Sequence, residues 1–119
     1  MLDSEELRRV CEHAFHLHAS CAAPFLMDCP QGVLHGDVTD ENILFQDDSI
    51  RGVLDLGDSQ TGAYVLDIAI SIAYALQHEG VGLDMAAELV AGYESVRELE
   101  PIERTMLFPL VLARLATSV

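Results

Sequence analysis

The sequence predicts a mainly α-helical domain of the α+β class with one small β-hairpin. Long segments carry apolar residues at helical spacing, and two short apolar runs flank a turn at Asp47 and Asp48. The chain has 119 residues, of which 50% are hydrophobic, so it can bury one modest core and is not a disordered acidic tail.

The first predicted helix follows Asp3. Asp3 and Glu6 have the spacing of a capping box, and apolar residues then recur at helical spacing to about Ser20. Two prolines bracket a short irregular or helical piece at residues 24–30. Residues 33–34 then lead into a loop with the sequence HGD.

The predicted hairpin consists of an apolar run at residues 42–45, a polar turn at residues 46–49 and a second run at residues 50–56. Its two ends carry Asn42 and Asp55. A hairpin brings its ends together, so we expect these two side chains to approach each other.

Two helices are predicted after the hairpin. The helix at residues 63–78 is apolar on nearly every side, which is typical of a buried helix. The helix at residues 83–99 places Glu94 and Glu98 four positions apart, where two carboxylates repel each other.

The last predicted helix covers residues 102–118, with Pro101 in its first turn and a kink at Pro109. Residues 110–116 are mostly apolar, and neither a glycine nor a basic last turn closes this helix. We therefore expect an uncovered apolar face, a sequence that is part of a longer protein, and association through the exposed C-terminal helix.

Charge and cysteine content narrow the function classes. Twenty acidic residues stand against six basic ones, all arginine, for a net charge of -14. Nucleic acids and anionic membranes bind basic surfaces, so we expect neither as a partner. Three cysteines without a C-x-x-C pair indicate reduced thiols, and hence a cytoplasmic location.

The residues that indicate chemistry lie in HGDVTDENIL at residues 35–44 and GVLDLGD at residues 52–58. Protein kinases transfer phosphate with a loop aspartate as base, and with an asparagine five positions later and a strand-end aspartate on the metal ions. Asp37, Asn42 and Asp55 match this set. Their oxygen atoms suit Mg²⁺, so the pattern predicts Asp37 as the base and the other two as metal ligands.

This motif resembles the aminoglycoside phosphotransferase/choline kinase superfamily of small-molecule kinases, and most closely its hydroxylysine kinase branch. DLGD at residues 55–58 and LVAGYES at residues 89–95 carry the closer resemblance, which covers residues 31–119. The Asp-Pro of the antibiotic kinases is replaced here by Ala63 and Tyr64.

The resemblance implies the C-terminal lobe of a protein-kinase-like fold. Residues 1–30 would form a helical segment, residues 31–62 the catalytic loop and metal-binding hairpin, and residues 63–119 a truncated helical subdomain. It implies phosphate transfer from GTP or ATP, with Mg²⁺, to a hydroxyl of a small cationic amino compound, first of all 5-hydroxy-L-lysine. The alternatives are a homoserine, choline, ethanolamine or aminotransferase-fused kinase, or a non-catalytic fragment acting as an interaction module.

The resemblance also implies roles for the residues around Asp37. His35 orients the loop from behind and is grouped with Asp37 as catalytic. Asp40 or Asp58 meets the cationic substrate. Because aminoglycosides and hydroxylysine are cationic, the acidic charge of the chain would attract them.

Gly36 and Asp67 are assigned structural roles. Gly36 allows a tight backbone in the loop, and Asp67 is expected to accept N–H groups of that loop, because an unpaired carboxylate on so apolar a helix is costly. Kinases of this type also hold the donor phosphates with a lysine from a second lobe. The sequence contains no lysine, so we expect the chain to be inactive alone.

Overall fold

The computed structural model describes residues 2–118, most of which lie in four α-helices. The helices are α1 (Ser4–Cys21), α2 (Val65–Leu76), α3 (Leu83–Glu94) and α4 (Pro101–Thr117). Four short strands between α1 and α2 form two antiparallel pairs: β1 (Gln31–Leu34) with β4 (Gln60–Ala63), and β2 (Ile43–Gln46) with β3 (Ser49–Val53). The mainly helical α+β class is therefore confirmed.

The start of α1 has the predicted capping box. The Asp3 carboxylate accepts the backbone N–H of Glu6 at 2.8 Å, and the Glu6 carboxylate accepts that of Asp3 at 3.0 Å. Both contacts satisfy donors that the first turn of a helix leaves without partners. A 3₁₀ turn at Ala23–Asp28 then leads into β1.

The predicted hairpin exists, with shorter strands. Asp47 and Asp48 have φ values of 51° and 63°, as a two-residue hairpin turn requires. The second strand ends at Val53 and not at residue 56, because Asp55 takes a left-handed conformation with φ 58° and ψ 70°. Asn42 precedes β2, so both predicted metal ligands flank the hairpin strands.

The pairing of β1 with β4 goes beyond the single predicted hairpin, and Ala63 ends β4 instead of beginning a helix. Each strand has four residues, which is too short for a clear alternating pattern. The two partners are also distant in the sequence, so no local turn signal announces the pairing. This pair matters for the site because β1 leads directly into the HGD loop.

The core lies around α2, which packs against α3 and α4, and α4 also packs against α1. The buried residues of α2 are Val65, Ile68, Ala69, Ile72 and Ala73. Their number along one short helix agrees with the prediction that this helix is buried.

The apolar face of α4 is covered, so the predicted exposed C-terminal helix is wrong. Leu110 and Val111 are only 5% and 8% exposed, because α1 and α2 pack against them. The last turn of α4 is basic, contrary to the prediction, because it contains Arg114. The predicted association through residues 110–116 therefore loses its premise.

The third helix ends at Glu94, ahead of the predicted end near Leu99. Glu94 and Glu98 consequently do not repel each other along one helix face. Arg104 contacts both carboxylates, at 2.7 Å and 3.5 Å. The segment between α3 and α4 is thus tied to α4 by ion pairs.

All three cysteines are free thiols, as predicted. Within residues 2–118, no helix combines the length and the apolarity that crossing a membrane requires.

Candidate functional site

The loop after β1 is held from one side by α2. The Asp67 carboxylate accepts the backbone N–H groups of His35 at 3.0 Å and of Gly36 at 2.9 Å. One helical turn later, the Ser71 hydroxyl donates to the Val38 carbonyl at 2.7 Å. One face of α2 therefore fixes the loop on both sides of Asp37.

The contacts of Asp67 are of the kind that the sequence analysis expected. Ser71 was missed. Its position four residues after Asp67 on an otherwise apolar helix was the available signal, because residues at this spacing share a helix face.

The His35 ring connects the loop with the strand end that precedes Asp55. Its Nδ1 accepts the backbone N–H of Asp37 at 3.1 Å, and its Nε2 lies 2.7 Å from the Leu54 carbonyl oxygen. A carbonyl only accepts, so this network assigns the proton to Nε2. Leu54 also donates its N–H to the Asn42 carbonyl at 2.7 Å, and is therefore held from both ends of the motif.

The Asp37 side chain is held directly by Asn42. The Asn42 Nδ2 group donates to Asp37 Oδ2 at 3.0 Å and to the Asp37 carbonyl at 2.8 Å. The Oδ1 atom of Asp37 has no hydrogen bond in the part of the chain that the structure describes. A carboxylate fixed through one oxygen and open at the other can accept a proton from a hydroxyl.

Asn42 and Asp55 present oxygen atoms at the open end of the hairpin. The Asn42 nitrogen is committed to Asp37, which leaves the amide oxygen for another partner. Asp55 is exposed, and the long 3.4 Å contact from the Gly57 N–H is its one side-chain hydrogen bond within the described residues. A non-glycine residue held at positive φ is uncommon and is typical of functional sites.

This donor set has the chemistry of a magnesium site. Residues 2–118 contain no group of three or more His, Cys, Asp or Glu side chains that could hold a metal ion. Mg²⁺ does not need such a cage, because it binds one or two carboxylates and completes its shell with waters and substrate phosphates. The Asp55 carboxylate and the Asn42 amide oxygen are ligands of that kind.

Gly36 allows the loop to pass close to the segment after Asp55. Its φ is +88°, and a Cβ atom there would lie 2.6 Å from the backbone carbonyl oxygen of Asp58. Both the conformation and the space therefore require glycine.

We expect Gly36→Ala to lower the free energy of unfolding by about 2–4 kcal/mol, as the sum of a left-handed backbone and a steric clash. Gly92→Ala is the matched control, because Gly92 lies in α3 and has open space around its Cβ position. This control should raise stability by about 0.5–1 kcal/mol. Urea unfolding of both variants measures the difference, and equal changes would contradict the close approach.

Asp37, Asp40 and Asp58 each line a different cavity near the loop. Asp37 and Arg114 line a cavity of about 220 Å³. Asp58 lines a larger cavity of about 700 Å³, which Arg114 also borders. Asp40 lines a third, of about 270 Å³, beside His78. Neither predicted substrate carboxylate, Asp40 or Asp58, therefore lines the cavity of Asp37.

Tyr74 also lines the Asp37 cavity. Loss of hydration and the nearby carboxylates of Glu41 and Asp40 raise the pKa of Tyr74 to about 12. The phenol therefore stays protonated at neutral pH and does not compete with Asp37 as a base.

Residues 2–102 match the model described as the phosphotransferase enzyme family. The chain is 29% identical to a hydroxylysine kinase of Danio rerio over 99% of this chain and 35% of that protein. It is 31% identical to a hydroxylysine kinase of Bos taurus over 93% of this chain and 32% of that protein.

A homoserine kinase of Methylobacterium radiotolerans is 40% identical over 64% of this chain and 24% of that protein. The chain thus spans about a third or less of the length of these relatives.

Proposed function

We propose that this chain, which belongs to the phosphotransferase enzyme family, forms the catalytic-loop and metal-binding part of a small-molecule kinase. The kinase would transfer the γ-phosphate of GTP or ATP to a hydroxyl group of an amino compound. The 3.0 Å contact between Asn42 and Asp37 carries the proposal. It holds a carboxylate in place and leaves one of its oxygens open to a hydroxyl.

Asp37 is the proposed general base. The acceptor hydroxyl donates a hydrogen bond to Asp37, and its oxygen attacks the γ-phosphorus. A new O–P bond forms while the bond to the bridging oxygen of the nucleoside diphosphate breaks, and the hydroxyl proton passes to Asp37. Catalysis of this kind depends on positioning and charge more than on covalent chemistry.

His35 is a positioning residue in this proposal, since its ring contacts backbone groups and leaves the reacting atoms to Asp37. It holds the Asp37 N–H and the Leu54 carbonyl together. The residue that follows Leu54 is Asp55, so one imidazole sets the spacing between the proposed base and the proposed metal ligand.

Asn42 and Asp55 would hold Mg²⁺, which when bound neutralises charge on the transferring phosphate. The chain has a net charge of -14, so it repels a nucleotide unless a cation intervenes. The exposed carboxylate of Asp55 is available for this purpose.

The proposed acceptor is a hydroxy amino acid, with 5-hydroxy-L-lysine first. The relatives are named hydroxylysine kinase and homoserine kinase, and both names specify an amino acid with a side-chain hydroxyl. The hydroxylysine kinases align with 93–99% of this chain and the homoserine kinase with 64%. Homoserine is the second candidate, because the homoserine kinase shares more identical residues with this chain, 40%, although over a shorter stretch.

The test is phosphate transfer by the longest natural form of the protein that contains these residues, with the 119-residue chain assayed alongside. 5-Hydroxy-L-lysine, L-homoserine, choline and ethanolamine are each supplied with GTP or ATP, with Mg²⁺ or with EDTA. We expect EDTA-sensitive phosphorylation of a hydroxy amino acid by the longer form and none by the chain alone. Absence of turnover with every acceptor would contradict the proposed function.

A further inference from the structure

Arg114 lines the cavity of the proposed base and has no carboxylate partner within residues 2–118. It lies in the last turn of α4 and lines the same cavity as Asp37. Four of the six arginines contact carboxylates within 4.0 Å, namely Arg8, Arg9, Arg97 and Arg104. Within residues 2–118, Arg51 and Arg114 have no such partner. Arg114 is exposed and lines the Asp37 cavity, so its guanidinium is accessible to a ligand of opposite charge.

We propose that Arg114 binds the α-carboxylate of the acceptor amino acid, an inference that rests on the proposed function. The planar guanidinium matches a carboxylate with two parallel hydrogen bonds. With the carboxylate held by Arg114, the side-chain hydroxyl of the same molecule points along the cavity toward Asp37. Arg114 would therefore select hydroxy amino acids over amino alcohols such as choline or ethanolamine.

The charges around Arg114 fit a zwitterion. Arg114 borders both the Asp37 cavity and the larger cavity that Asp58 lines. An amino acid carries a carboxylate and an ammonium group a few bonds apart, so it meets a cation and an anion in adjoining spaces. Asp58 would then contact the ammonium group of the substrate from the larger cavity, even though it does not line the Asp37 cavity.

The alternative role for Arg114 is at the helix end, because basic residues in a last turn stabilise the helix dipole. That role does not distinguish acceptors with a carboxylate from acceptors without one. Arg114 also lies beyond residues 2–102, so the match to the family model does not assign it a role.

The test compares acceptors with and without the carboxylate in the longest natural form of the protein. The pairs are 5-hydroxy-L-lysine with 1,5-diaminopentan-2-ol, and L-homoserine with 3-aminopropan-1-ol. Wild type should favour the amino acid of its preferred pair in kcat/KM by about 10- to 100-fold, the range for hydrogen bonds to charged groups. In Arg114→Gln this preference should fall to near unity, mainly through KM for the amino acid. Arg114→Lys should retain part of it.

Arg51→Gln is the matched control, because Arg51 also lacks a carboxylate partner among the described residues but lies on β3. It should keep the wild-type preference. An unchanged preference in Arg114→Gln, or an equal loss on both members of a pair, would overturn the inference while leaving the kinase assignment intact. If Arg114→Gln fails to fold by circular dichroism, Arg114→Lys decides, and a full wild-type preference in it overturns the bidentate contact. Failure of wild type on every acceptor contradicts the proposed function instead.

Discussion

Asp37→Asn in the longest natural form of the protein is expected to lower kcat by about 10²- to 10⁴-fold, the usual contribution of a general base. Asparagine keeps the shape of the side chain and can still accept the Asn42 hydrogen bond through its oxygen. It cannot take the proton of the acceptor hydroxyl. Binding of the nucleotide should stay near the wild-type level. Asp37 contacts the side-chain nitrogen of Asn42 and not the oxygen atoms of Asn42 and Asp55 that are proposed to bind the metal ion. Steady-state kinetics and nucleotide titration measure the two quantities separately.

Asp47→Asn is the matched control for this experiment. It makes the same change of charge at the tip of the hairpin, where φ is 51°, and asparagine tolerates that conformation well. Its kcat should equal that of wild type. Near-normal turnover in Asp37→Asn would mean that the base lies elsewhere, and the assignment of Asp37 would then be wrong.

The residues of the proposed site could be predicted from the sequence because their relations are local. Asp37 and Asn42 are five positions apart, so a single loop brings them within 3.0 Å. Asp55 reaches the same region through a two-residue hairpin turn with a clear acidic signature. Spacing along the chain therefore contains most of the geometry of this set.

The parts that could not be predicted depend on tertiary packing. The pairing of β1 with β4 joins distant segments, and neither segment is long enough to show a pattern. Arg114 and Asp37 line one cavity because α4 packs against α2, which no local signal reveals. For the same reason the apolar residues of α4 looked uncovered in the sequence, whereas α1 and α2 bury them.

Asp67→Asn should lower both stability and turnover although it leaves the proposed reacting groups untouched. Asp67 accepts two backbone N–H groups, from His35 and Gly36. Asparagine offers one oxygen and one NH₂ group, so one loop N–H would face a second donor. Hydrogen bonds to charged groups contribute about 1.5–3 kcal/mol each, so we expect the free energy of unfolding to fall by about 2–4 kcal/mol. Urea unfolding measures the loss, and hydrogen exchange should show faster exchange at these two amides.

The same variant should lower kcat by about 10- to 100-fold, because a loosened loop misplaces the carboxylate of Asp37. Asp84→Asn separates this effect from helix electrostatics, since Asp84 occupies the first turn of α3 as Asp67 occupies that of α2. Within the described residues Asp84 makes no side-chain hydrogen bond, so its replacement should cost at most about 1 kcal/mol through the helix dipole. Equal losses in the two variants would show that Asp67 acts only on its own helix. A larger loss confined to Asp67→Asn, with faster exchange at His35 and Gly36, would identify α2 as the template on which the catalytic loop is held.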